Sequence, residues 1–84
     1  MTLQKLVSVF RETLADDRLT LRPEMSPDDT PGWDSFTHVS LVVGIEEAFD
    51  VMLSVDEIGR LVSVGDIVQV LGEKGIDITW DTPG

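Results

Sequence analysis

Cysteine is missing from this sequence, bases number only 6 against 16 acids, and no apolar run exceeds a few residues. Without cysteine there are no disulfides and no cysteine-ligated metals, so packing alone must hold the core. The short apolar runs exclude a membrane-spanning helix. Lys5 and Arg11 interrupt the first apolar residues and no small-residue cleavage site follows them, so a cytoplasmic protein is expected. The bases cluster at Lys5, Arg11, Arg18 and Arg22. From Glu24 onward 13 acids face only Arg60 and Lys74. That field repels nucleic-acid phosphates and anionic headgroups and attracts partners with basic patches. A chain of 84 residues has room for one core, so a single domain over residues 1–84 is expected, ordered over about 2–75 with a tail at 76–84. A deep catalytic cleft is hard to build at this size.

Apolar residues at Leu3, Leu6, Val7, Phe10 and Leu14 have helical spacing, with Thr2 as the N-cap. After Ala15-Asp16-Asp17, Pro23, Pro27, Pro31 and Gly32 break up the chain, while Leu19, Leu21 and Met25 predict a long loop pinned to the core. A second helix is predicted over 35–49, capped by Asp34, with two apolar stripes. Leu41, Val42, Ile45 and Phe49 form one, spaced for burial. Phe36, Val39 and Val43, extended by Glu46 and Glu47, form the other. A helix in so small a protein rarely buries both, so the second stripe is a candidate partner surface.

Ser54 and Glu57 fit a capping box ahead of a short helix reaching about Leu61. Ser63 caps a final helix whose buried stripe is expected at Val64, Ile67, Val68 and Leu71, ended by Gly72 and Gly75. Leu53 joins the expected core. The tail from Ile76 is expected to be extended or frayed, with Trp80 packing it back. The fold class is therefore all-α: a small four-helix bundle of three main helices and one short one, with a long first loop.

The segment Gly32-Trp33-Asp34-Ser35-Phe36-Thr37-His38-Val39-Ser40-Leu41-Val42 resembles the attachment region of acyl carrier proteins, which carry Asp-Ser-Leu at the head of their second helix. Ile45-Glu46-Glu47-Ala48-Phe49 matches the family's Leu-Glu-Glu-x-Phe. Ser63-Val64-Gly65-Asp66-Ile67-Val68 is similar to the start of its final helix. This resemblance implies a carrier domain, not an enzyme, with 4'-phosphopantetheine from coenzyme A attached to Ser35 and acyl groups held on it as thioesters. It implies Asp34, Phe36, Val39, Ser40, Val43, Glu46 and Glu47 as the face met by a phosphopantetheinyl transferase and by acyl-loading and acyl-processing enzymes with basic docking patches. A monomer is expected, with no nucleic-acid or membrane partner. Phe36 replaces the family's usual leucine or methionine and Ser40 a frequent glutamate. Both changes point to a free-standing carrier of a specialised pathway, of polyketide, lipid or other secondary-metabolite type. An aminoacyl or peptidyl carrier and an unmodified acidic adaptor are the alternatives.

An esterified phosphate on Ser35 is expected to gain about 0.3–1 kcal/mol from free N–H groups at the helix start, offset by repulsion from Asp34. His38 lies one turn beyond Ser35. A Ser35–His38 hydrolase lacks a nucleophile elbow, an orienting acid and an oxyanion hole, and a solvent-facing histidine is expected instead. Asp16-Asp17 and Asp28-Asp29 do not begin an EF-hand pattern, so no metal is expected.

Overall fold

A computed structural model describes residues 3–79 of the chain. Among them the elements run α1 (Leu3–Leu14), α2 (Ser35–Phe49), α3 (Val55–Gly59) and α4 (Val64–Glu73), with no strand. Thr2 and Trp80, given a capping and a packing role above, lie outside the described residues.

Helix α1 buries Leu6 and Phe10, as its spacing predicts. Ala15 then takes φ 55°, and the Asp16 N–H donates to Arg11 O at 3.0 Å, which closes the last turn. The same left-handed ending recurs at Asp50 behind α2, whose N–H donates to Glu46 O. Helices α1 and α2 pack closely enough that a Cβ built on Gly44 would meet Val9 Cγ1 at 3.0 Å.

The loop 15–34 has no regular structure, yet it is fastened at several points. Leu19, Met25 and Trp33 are buried, and Arg11 Nε donates to Leu19 O at 2.8 Å. The first two N–H groups of α4, from Val64 and Gly65, donate to Met25 O and Pro23 O, both at 2.9 Å. Those groups need a partner at any helix start, and here the loop backbone supplies it. A Cβ on Gly65 would lie 3.1 Å from Pro23 O, so glycine lets the two backbones approach. Trp33 meets Phe10 edge to face at 5.3 Å, which joins the end of the loop to α1.

Three details differ from the sequence reading: the buried stripe of α4, the end of α3, and the tail, which is fastened to the core at Ile78. On α4 the buried residues are Val64, Ile67, Val70 and Leu71, and Val68 is only half-buried. At about 100° per residue Val70 lies about 60° around the helix from Ile67 and Val68 about 100°, so a face centred on Ile67 takes Val70. Helix α3 stops at Gly59 and buries no residue. Arg60 then reaches Glu73 through two hydrogen bonds of 2.9 and 2.7 Å, and Lys74 Nζ lies 2.9 Å from Glu57. Phe49 and Leu53 pack half-buried against the core, which also takes in Ile78, 6 % exposed.

Candidate functional site

The site is built at the junction of the loop and α2. Asp34 is the N-cap, with extended backbone, and its Oδ1 accepts from the N–H groups of Phe36 and Thr37, each at 3.0 Å. Thr37 completes the box: its Oγ1 accepts from the Asp34 N–H at 2.8 Å and donates to Gly32 O at 2.7 Å. The N–H of Thr37, foremost among these donors, holds the Asp34 carboxyl below the usual carboxylate range.

Ser35 follows as the first residue of α2 and is exposed. The hydrogen bonds of this turn run among Gly32, Asp34, Phe36 and Thr37 and bypass its Oγ. An open groove of about 420 Å³ lies beside it, bordered by Ser26, Asp28, Asp34, Ser35, His38 and Val62. The expected cluster of free N–H groups is not what the structure shows, because Asp34 already takes two of them.

His38 is not the solvent-facing residue expected. It is half-buried, and the indole N–H of Trp33 donates to its Nδ1 at 3.1 Å with the two rings stacked, 16° between their planes. Trp33 precedes the helix, so helical periodicity gives no signal for this pair. An indole nitrogen only donates, so Nδ1 must be the acceptor and the proton sits on Nε2. No lone pair is left to take a proton from Ser35, which removes the hydrolase dyad on geometry.

Along α2 the second stripe lies open: Phe36 is 87 %, Val39 64 % and Val43 47 % exposed. Ser40 and Glu47 are exposed beside it. Glu46 is half-buried, and its Oε2 accepts from the Leu53 N–H at 2.9 Å, so it also ties down the turn after α2. Met52 and Val62, on either side of α3, and Val55, its first residue, add further exposed apolar surface. The sequence reading missed these three. Their signal was apolar side chains off the buried stripes, next to the caps Ser54 and Ser63.

Searched against protein-family models, the chain matches none. Compared with curated proteins, it is 31 % identical over 71 residues to an acyl carrier protein of Clostridium acetobutylicum, covering 84 % of this chain and 92 % of that one. The chain belongs to the acyl carrier protein family. A solution structure of a holo acyl carrier protein from Geobacter metallireducens superposes with a TM-score of 0.79 at 33 % identity, covering 87 % of this chain and 84 % of that one. A Mycobacterium tuberculosis chain superposes with a TM-score of 0.77 at 20 % identity, covering 88 % and 99 %, a likeness of fold alone.

Acyl carrier proteins are carriers and not enzymes, they work with acyl-processing enzymes, and the family generally carries phosphopantetheine. The residues present fit that group. Ser35 offers an exposed hydroxyl on the end of a well-capped helix, and the groove beside it has both polar and apolar walls. Among the described residues no helix is long and apolar enough to cross a membrane.

Proposed function

We propose that this protein carries acyl intermediates on a 4'-phosphopantetheine arm esterified to Ser35 Oγ, as one domain acting as a monomer in the cytoplasm. The observation that carries the reading is the placement of Ser35. It stands exposed in the first turn of a helix held by a reciprocal cap, with its hydroxyl uninvolved in the cap's hydrogen bonds. The arm supplies a thiol on which acyl groups are held as thioesters. The chain's own residues present and orient it. Asp34 and Thr37 fix the helix end, while a visiting transferase activates the hydroxyl.

Phe36, Val39, Ser40, Val43, Glu46 and Glu47, with Asp34 at the head, form the docking face in this reading. Arg60 and Lys74, the two bases beyond Glu24, both sit in ion pairs with acids of this chain. The acids around α2 are thus left to attract a partner's basic patch. Phe36, at 87 % exposure, makes the apolar share of that contact large and supports a dedicated carrier of a specialised pathway.

The test is to incubate the apo protein with coenzyme A, magnesium and a broad-specificity phosphopantetheinyl transferase and to record the intact mass. One added arm is expected in the wild type and none in Ser35→Ala, with unchanged circular dichroism. An unmodified adaptor would gain no mass, and that result sinks the proposal.

A further inference from the structure

The groove beside Ser35 poses an electrostatic problem for the attachment just proposed, on which this inference rests. A phosphodiester on Ser35 Oγ is an anion placed next to the carboxylates of Asp28 and Asp34, which share the groove. Two of the backbone donors that usually receive an anion at a helix start are engaged, since the N–H groups of Phe36 and Thr37 both donate to Asp34, which leaves the N–H of Ser35 itself as the backbone donor of the first turn. Esterification also removes the Ser35 hydroxyl as a donor. The side-chain donors left along the groove are Ser26, on the loop, and His38, one helical turn from Ser35.

His38 is prepared for this role by Trp33. The indole N–H held at 3.1 Å by Nδ1 fixes the imidazole as the tautomer with its proton on Nε2, and the stacked indole fixes the plane of the ring. Trp33 is itself 3 % exposed and locked against Phe10. Flipping the imidazole would set a carbon against the buried indole N–H and leave that donor unsatisfied. One ring nitrogen is thereby spent on the core, and the other is kept as a donor.

We infer that His38 is a positioning residue for the prosthetic arm, its Nε2–H donating to a phosphodiester oxygen on Ser35. The arm's root is then held at one point by a donor oriented from the core, in a groove whose carboxylates repel it elsewhere.

Side-chain replacement separates this role from a purely structural one. Asparagine puts a carbonyl oxygen near the place of Nδ1, so His38→Asn keeps the acceptor for Trp33 and loses the donor. Glutamine puts an amide N–H near the place of Nε2, so His38→Gln keeps the donor and weakens the Trp33 bond. Each protein, with His38→Ala, is loaded from coenzyme A by the transferase, its mass is checked, and its phosphorus-31 resonance is recorded alongside the nitrogen-15 spectrum of the imidazole. The phosphorus resonance is expected to coincide in wild type and His38→Gln and to move in His38→Asn and His38→Ala. The Nε2–H proton of the wild type should shift downfield on loading. Thermal stability should follow the opposite order, with His38→Asn above His38→Gln. A phosphorus resonance that is the same in all four proteins, or that moves as far in His38→Gln as in His38→Ala, overturns the inference while leaving the attachment standing. A wild type that takes no arm overturns both.

Discussion

Replacing Gly44 by alanine sets two effects of known sign against each other. Alanine in a helix interior is favoured over glycine by about 1 kcal/mol. Against this, the new Cβ would lie 3.0 Å from Val9 Cγ1 on α1, whereas carbon atoms in contact sit at about 3.5–4.0 Å. The helices would have to part by about half an ångström or Val9 would have to turn. Valine in a helix holds essentially one χ1 rotamer, so turning is not free. Overpacking of this kind costs about 1–3 kcal/mol. The helix gain is thus outweighed, and Gly44→Ala should destabilise the domain by about 1 kcal/mol. In the background Val9→Ala the obstructing methyl is gone, so the same substitution should stabilise by about 1 kcal/mol, the propensity term alone. Urea unfolding followed by far-ultraviolet circular dichroism on the four proteins reads both signs. If Gly44→Ala has the same sign in both backgrounds, the close approach of α1 and α2 through this glycine is wrong.

Acid should weaken the fold through carboxylates held below their usual range. Asp34 is one, lowered first by the Thr37 N–H, and Asp29, Glu57 and Glu73 are others, lowered respectively by the Ser26 N–H, the Ser54 N–H and the Arg60 side chain. A carboxyl lowered in the folded state contributes stability that is complete above its unfolded pKa and is lost as pH falls through the folded one, so the loss belongs between about pH 5 and 2. Asparagine caps as well as aspartate, so Asp34→Asn should match the wild-type melting temperature at pH 7 and lose less of it at pH 3. Equal acid losses in the two proteins would deny Asp34 its share. On the docking face, Glu47→Lys should slow loading by the transferase more at low than at high ionic strength, with little change in melting temperature. Glu46→Lys should lower the melting temperature as well, because it removes the acceptor of the Leu53 N–H. A ratio of Glu47→Lys to wild-type loading rates that is the same at low and high salt would remove that residue from the face.

The parts of the fold legible in the sequence were those with a local cause. Periodicity locates α1 and α2, and the Ser54–Glu57 box locates the start of α3, since each depends on residues within one or two turns. The choice of Val70 over Val68 was not legible, because both fit an apolar face and the packing around Ile67 decides between them. Nor were the bonds from Val64 and Gly65 to the loop, since main-chain groups at any residue could make them; only Gly65 left a trace in the sequence. At the site, Asp34 and Ser35 could be picked out by motif and by capping chemistry. The pairing of Trp33 with His38 crosses from loop to helix and obeys no period, which is why a buried partnership read as an exposed histidine.

Helix α3 has five residues and none of them is buried. So short a segment is not stable by itself, and what retains it is Ile58, half-buried against the core, with the Ser54–Glu57 box at its start and the Lys74–Glu57 contact across to α4. Swinging it outward would withdraw one apolar side chain, that of Ile58, from the edge of the core. The helix beside Val62, which borders the groove, is thus held by fewer buried side chains than α1, α2 and α4, each of which buries at least two. Local opening is therefore expected first on that side of the groove.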